Sequence, residues 1–237
     1  MKIGIIGALD EEIFHYRNEM ELLSEEVKAG ITFYSGMMNG FSVVICKCGV
    51  GKVNASVCTE ILIGQLSVSH VIFTGVAGTL DETLDIGDVV VSTELMQHDF
   101  DATAFGCKLG EIPYSDQFIF EADQFLQKLA LTVSGEIMGA QKVVAGRILS
   151  GDQFIASREK VQQLSRELNG ACAEMEVAAV AQVCEMHRIP YVIIRSMSDK
   201  ADGSAKVNFL EFTEKASLHS FQIVDAMLKN WDYRCIG

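Results

Sequence analysis

Short apolar runs recur along the chain, and several stop at a carboxylate. Lys2-Ile3-Gly4-Ile5-Ile6-Gly7-Ala8 runs into Asp10-Glu11-Glu12, and Tyr191-Val192-Ile193-Ile194-Arg195-Ser196-Met197-Ser198 runs into Asp199. A run apolar at every position predicts a strand buried on both faces. Besides residues 2–8, strands are expected at 31–36, 41–48, 70–74, 88–91, 142–149 and 191–197. Asn39-Gly40 predicts a hairpin between 31–36 and 41–48, because both residues tolerate positive φ. Val53, Val57, Ile61 and Leu62 lie near helical spacing and predict a helix over 52–66. Further helices are expected over 121–133, 157–168, 176–188 and 209–229. This alternation predicts one α/β domain over residues 1–237, a three-layer α/β/α arrangement around a central mixed β-sheet. The stretch 94–120 is the exception, having no clear period yet holding Phe100, Phe105, Ile112, Pro113 and Tyr114. Long irregular segments inside compact domains are usually functional or interfacial.

Charge and cysteine usage narrow the partners. Lys and Arg number 19 against 32 Asp and Glu, a net charge of −13, which excludes the cation excess that binds nucleic acid. Seven Cys is an odd number, and Cys46, Cys48, Cys58, Cys172 and Cys184 lie inside apolar runs. That pattern suits free thiols in a reducing compartment rather than a disulfide framework. Cys46-x-Cys48 lacks a second Cys/His pair, so no zinc site or other metal is expected, and no cofactor. The first apolar run is too short for a signal peptide, and no run approaches the ~18 residues of a membrane span. The chain therefore reads as cytoplasmic, with no membrane partner.

The end of a strand in an α/β sheet opens onto the crevice where ligands bind. Carboxylates gathered there can grip hydroxyls, activate water and deliver a proton. Glu174-Met175-Glu176 is notable on this ground, because both acids interrupt a small, apolar run from Ala171 to Ala181. Buried carboxylates need partners or a task, and a salt bridge from one of them to Arg195 is the plainest partner. On a strand the two acids share a face, but a strand-to-helix junction breaks that parity. Gly75-Val76-Ala77-Gly78 follows a buried strand and is either a plain turn or a place where a ligand nears the backbone. Asp152, in Ser150-Gly151-Asp152-Gln153-Phe154-Ile155, reads as a cap or turn former. His98 and His187 read as satisfied structural histidines. Gly4-Ile5-Ile6-Gly7 lacks the spacing of a dinucleotide fingerprint, and Gly49-Val50-Gly51-Lys52-Val53 lacks the first glycine and the Ser/Thr of a P-loop.

Taken in order, these pieces resemble the 5′-methylthioadenosine/S-adenosylhomocysteine nucleosidases of the purine nucleoside phosphorylase superfamily. The resemblance covers essentially the whole chain: K-I-G-I-I-G-A-L-D-E-E at the start, G-V-G-K-V at 49–53, T-G-V-A-G at 74–78, H-D at 98–99, T-A-F-G at 103–106, S-G-D-Q-F-I at 150–155, E-M-E at 174–176 and R-S-M-S-D at 195–199. It implies hydrolysis of the N-glycosidic bond of 5′-substituted adenosines with release of adenine. In that scheme Glu12 holds and deprotonates the attacking water, and Arg195 helps position it. Glu176 grips the ribose hydroxyls while Met175 packs on the sugar. Asp199 protonates N7 of adenine with Ser198 beside it, Phe154 stacks on the base and the backbone of Ile155 reads its edge. Gly78 and Val76 border the site, and Leu9, Val50 and Phe209 line a slot for the 5′-alkylthio group. Phe105 and Pro113 resemble residues that enter the neighbouring subunit's slot, which implies a homodimer. Some relatives with these motifs also hydrolyse aminodeoxyfutalosine, so a second substrate is implied too.

The chain departs from the family pattern at three places. Val76 stands where many members carry a small hydroxyl residue, so one hydrogen bond near Glu12 is either missing or supplied by Thr74. Leu9 replaces a frequent Met, a nearly volume-neutral change, and Val177 replaces a small residue. The nearest rival activity is phosphorolysis, which needs cations around a phosphate. Gly75-Val76-Ala77-Gly78 has no Arg nearby in sequence, and Glu12 would repel phosphate. A non-catalytic nucleoside sensor would have no use for Glu12, Asp199 and Arg195 together.

Overall fold

Ten strands form one mixed sheet in the computed structural model, which describes residues 1–139, 142–200 and 205–231, with the side chains of 205–211 excepted. At its centre β1 (Lys2–Gly7) lies parallel between β4 (Phe41–Lys47) and β5 (His70–Thr79). Successive residues of β1 face opposite sides: Ile3 and Ile5 enter one core and Ile6 the other. That is why the run is apolar throughout, each buried Ile contributing roughly 1.5–3 kcal/mol. On one flank, β3 (Ile31–Met38) and then β2 (Glu21–Lys28) add antiparallel strands. The β3–β4 hairpin turns on Asn39 and Gly40, at φ 48° and 83°, as the Asn-Gly pair predicts.

On the other flank the sheet curls. β10 (Tyr191–Asp199) runs parallel to β5 and antiparallel to β6 (Val89–Gln97). β6 is followed by the parallel strands β8 (Val143–Ser150) and β9 (Gly170–Glu174), with β7 (Ile119–Glu121) at its side. β9 returns to pair with the end of β5, so β5, β10, β6, β8 and β9 close a ring. The expected mixed sheet is present, and this closure adds to it.

Helices cover both faces, as a three-layer domain requires. α2 (Lys52–Gly64) and α5 (Val177–His187) bury Cys58, Leu62, Val180 and Cys184 against Ile6 and Phe73. α1 (Asp10–Glu19), α3 (Gln124–Met138) and α6 (Ala205–Lys229) bury Ile13, Tyr16, Leu126 and Val224 against Ile3, Ile5 and Ile72. α4 (Arg158–Leu168) packs Leu164 and Leu168 beside β9 on a smaller cluster. The sequence pattern did not reveal α1 or β2. The irregular stretch is also shorter than 94–120: β6 runs to Gln97, a 3₁₀ turn spans Thr103–Phe105, and β7 begins at Ile119. Among the described residues no helix is long and apolar enough to cross a membrane.

Candidate active site

The ends of β1, β5, β8, β9 and β10 converge on a cavity of about 300 Å³. Leu9, Glu12, Val50, Val76, Gly78, Phe154, Ile155, Met175, Glu176, Ser198 and Asp199 line it, with Ala8, Ala77, Gln153, Ala173 and Glu174. No Lys, Arg or His is among these residues. Arg195 lies beneath them, fully buried. Phe105 and Pro113 do not line this cavity, and Phe105 is 86% exposed. Phe209 belongs to α6, and its side chain lies outside the described residues.

Glu12 is held by its own helix start. Its Oε2 accepts the backbone N–H of Ala8 at 2.6 Å and of Leu9 at 3.1 Å, and Oε1 accepts the N–H of Val76 at 3.0 Å. The first turn of α1 carries Asp10, Glu11 and Glu12, where the helix dipole favours negative charge. Burial nevertheless pushes the Glu12 carboxyl above its ordinary pKa, against the pull of Arg195 and the three N–H groups. A carboxylate of raised basicity is chemically able to take a proton from a water in the cavity.

Gly75 makes room for this arrangement. A Cβ there would lie 2.2 Å from both Arg195 Nη1 and Glu12 Oε1. The close approach at this glycine is thus made by two of the protein's own charged side chains. Val76 supplies Glu12 with a backbone N–H, so the missing side-chain hydroxyl is not replaced by Thr74. The Thr74 hydroxyl instead meets the Tyr16 hydroxyl at 3.1 Å, and Tyr16 donates to the carbonyl of Ser220.

The two acids of Glu174-Met175-Glu176 have different surroundings. Glu174 ends β9 and receives Arg195 Nη2 at 2.6 Å, the N–H groups of Glu176 and Val177, and the Ser150 hydroxyl. It is the structural salt-bridge partner, buried with every lobe occupied. Glu176 caps α5 and lies 4.0 Å from Arg195. Its carboxylate accepts the N–H of Gly51 at 2.8 Å and of Met175 at 3.3 Å. Burial first, and then the neighbouring Glu174 charge, push its pKa up to about 8, with Arg195 opposing. Asp199 ends β10, where the Ser198 hydroxyl donates to its Oδ2 at 2.8 Å.

Loops complete the other side. Val50 and Phe154 are about half exposed at 49% and 52%, so apolar surface faces the opening. Asp152 does act as a cap, but for α2 rather than its own segment: its Oδ1 accepts the N–H of Lys52 at 2.9 Å. His187 pairs with Glu60 at 2.7 Å, as a structural histidine would. His98 differs from expectation. It is buried against Gly151, and neither ring nitrogen has a hydrogen-bond partner among the described residues. Gln153 and the Gly51 N–H are site groups that the sequence reading did not assign, and Glu174 was one of its two candidates for the Arg195 salt bridge. Gln153 lay inside the S-G-D-Q-F-I motif, whereas a backbone donor leaves no mark in sequence.

The family model described as "Phosphorylase superfamily" matches residues 2–229. A 5′-methylthioadenosine/S-adenosylhomocysteine nucleosidase of Staphylococcus aureus is 40% identical over 95% of this chain and 98% of its own length. The chain belongs to the phosphorylase superfamily, within its methylthioadenosine/adenosylhomocysteine nucleosidase family. Solved structures agree. The nucleosidase of Neisseria meningitidis in complex with methylthio-immucillin-A shares 37% identity over 97% of this chain and 99% of that one, with TM-score 0.92. The futalosine hydrolase of Helicobacter pylori shares 35% over 98% of each chain, also with TM-score 0.92.

Proposed function

We propose that this protein hydrolyses the N-glycosidic bond of 5′-methylthioadenosine, S-adenosylhomocysteine and related 5′-substituted adenosines, releasing adenine. The observation that carries this reading is the charge of the cavity. Glu12, Glu174, Glu176 and Asp199 line it, no cation does among the described residues, and the Arg195 guanidinium beneath is already paired with Glu174 at 2.6 Å. Among the described residues phosphate finds no cationic partner there, whereas water and a sugar that turns cationic find carboxylates.

In this reading Glu12 takes the proton of the attacking water from a position fixed by three backbone N–H groups. Arg195 lies beside Glu12 at Gly75 and steadies the water. Glu176 accepts the ribose hydroxyls, and Met175 packs on the sugar. Cleavage passes through an oxocarbenium-like sugar, which nearby carboxylates favour. Asp199, with Ser198 donating to it, protonates N7 of the departing adenine. Phe154 stacks on the base, the Ile155 backbone reads its edge, and Val76 and Gly78 form the wall behind it. Leu9, Val50 and Phe209 receive the 5′ substituent. Leu9 also borders a second cavity lined by Phe14, His15 and Ser217, which leaves space for a longer 5′ group. A homodimer, with Phe105 and Pro113 of each subunit reaching the neighbour's slot, accounts for the exposure of Phe105. Hydrolysis of aminodeoxyfutalosine belongs to the same reading, since a futalosine hydrolase is among the similar structures. Buried free thiols suit a cytoplasmic setting.

The deciding experiment measures adenine release from methylthioadenosine with and without phosphate, identifying the sugar by mass. Free methylthioribose at a phosphate-independent rate is expected. Methylthioribose 1-phosphate formed only with phosphate would assign the protein to phosphorolysis and remove Glu12 from its role.

A further inference from the structure

Two segments that line the cavity, at Val50 and at residues 153–155, are joined through the strand end at residues 97–99 by one small charged cluster. Lys52 Nζ meets Asp99 Oδ1 at 2.6 Å and Gln97 Oε1 at 3.0 Å, and both members of the ion pair are mostly buried. Asp99 Oδ2 accepts the N–H of Asp152 at 2.9 Å. Asp152 Oδ1 in turn accepts the N–H of Lys52 at 2.9 Å, which closes the circuit. Glycines permit the approach. A Cβ on Gly151 would lie 3.0 Å from Asp99 Cγ, and Gly51 has φ +98° with a Cβ position 3.2 Å from Asp152 Oδ1. Hydrogen bonds from Lys52 and Asp152 hold the Asp99 carboxyl below its usual pKa, although burial, the largest influence, works the other way.

Two corners of this circuit adjoin groups assigned to substrate. Gly51, the residue before Lys52, gives its N–H to Glu176 Oε1 at 2.8 Å. Asp152 lies two residues before Phe154, and Asp99 opens the segment that carries Phe105 and Pro113. The loop at 49–51 has glycines at φ +83° and +98°, so its backbone alone does not fix where the Gly51 N–H points.

We infer that Lys52, Asp99 and Asp152 form a latch that positions the sugar-gripping Glu176 and the base-stacking loop relative to one another. None of the three touches substrate. They act through the Gly51 N–H and the turn at Gly151. The inference rests on the hydrolase reading, because it assigns Glu176 to the ribose hydroxyls.

The test compares Lys52→Met, Asp99→Asn, their double variant and Lys52→Arg with the wild type. Substrates are methylthioadenosine and its 2′-deoxy and 3′-deoxy counterparts, and thermal unfolding is followed in parallel. A displacement of about 1 Å at a reacting centre lowers rate by roughly a hundredfold, so kcat/KM should fall about tenfold to a hundredfold in each single variant. The double variant should be no worse than the poorer single one, because one circuit is broken once. Lys52→Arg should recover most of the loss. The decisive readout is the rate penalty for deleting a ribose hydroxyl. It should shrink by about tenfold in the variants, because Glu176 no longer meets that hydroxyl squarely. A purely structural role predicts lower thermal stability with an unchanged deoxy penalty, and that result overturns the latch. Asp99→Asn is nearly isosteric and keeps the test open if Lys52→Met does not fold. A wild type without phosphate-independent turnover would instead sink the hydrolase reading and the latch with it.

Discussion

The cavity has two walls of opposite character. Glu12 at a helix start, Glu174 at a strand end and Arg195 within β10 are buried; both carboxylates and Arg195 Nη2 find partners within the protein, while Arg195 Nε has none among the described residues. Val50 and Phe154 lie on loops and leave about half of their surface exposed, and Phe105, outside the cavity lining, is 86% exposed. The first wall is largely finished by the protein's own groups; the second presents exposed apolar surface. Charges that must act in a desolvated place are best held by rigid elements, where fixed N–H groups need no rearrangement at the moment of reaction. Apolar recognition tolerates loops, because burial is non-directional. Glu176 lies on the seam, rooted in α5 yet bonded to the loop at Gly51.

The largest effect should follow from disturbing the finished wall. Glu12→Gln keeps the shape but loses the base, and its amide cannot accept all three backbone N–H groups. Turnover should fall by about 10²–10⁴-fold. Affinity for a non-hydrolysable adenosine analogue, measured by calorimetry, should stay within about tenfold. Phe154→Ala, on the open wall, should do the reverse and act mainly on KM. Near-normal turnover in Glu12→Gln would erase the distinction between the walls.

The seam residue makes a smaller, pH-dependent prediction. Its pKa is raised from 4.5 to about 8, chiefly by burial and then by Glu174. A carboxyl whose pKa is higher folded than unfolded contributes stability that is fully present below 4.5 and is lost as pH rises through about 8. Ribose hydroxyls donate best to the ionised form. Stability should therefore decline from pH 4.5 to 8 while kcat/KM climbs over the upper part of that window, by up to about tenfold per unit. Urea unfolding and initial rates across the window check both slopes. Glu176→Gln should remove this group's share of the stability slope, and a variant that keeps the wild-type slope would place the titration elsewhere.

Much of the finished wall was legible in sequence, because its residues end apolar runs. Glu12, Glu174, Glu176 and Asp199 all do so, and the nature of the sheet followed from the same runs. What sequence hid has physical reasons. Helix α1 buries only Ile13 and Tyr16 beside Glu12, too few positions to show a period. Strand β2 is an edge strand exposed along nearly its whole length, so no apolar face marked it. Ring closure depends on which strands become neighbours, which periodicity does not encode. The residues alone left open which of Glu174 and Glu176 pairs with Arg195, and it is Glu174. The Glu12 partner at Val76 escaped because it is a backbone N–H. The Lys52 circuit spans separations of 47 and 100 residues and belongs to no local pattern.

The open wall yields the smallest prediction and the sharpest test of what covers it. Phe105 stands on a 3₁₀ turn closed by Gly106 in the left-handed region, and at 86% exposure it stabilises little within its own fold. Phe105→Ala should therefore leave thermal stability within about 0.5 kcal/mol of wild type. If the side chain enters a neighbour's slot, its loss removes apolar contact there, and KM for methylthioadenosine should rise about tenfold with kcat nearly unchanged. Pairing the variant with a subunit inactivated by Glu12→Gln separates the two locations. In that mixed dimer each subunit carries one defect. An intact Glu12 slot in the Phe105→Ala subunit is then covered by a normal Phe105 from its partner, and KM should return to the wild-type value. A KM that stays raised in the mixed dimer means that Phe105 acts within its own subunit. The exposed wall would then be completed by movement of this loop rather than by a second chain.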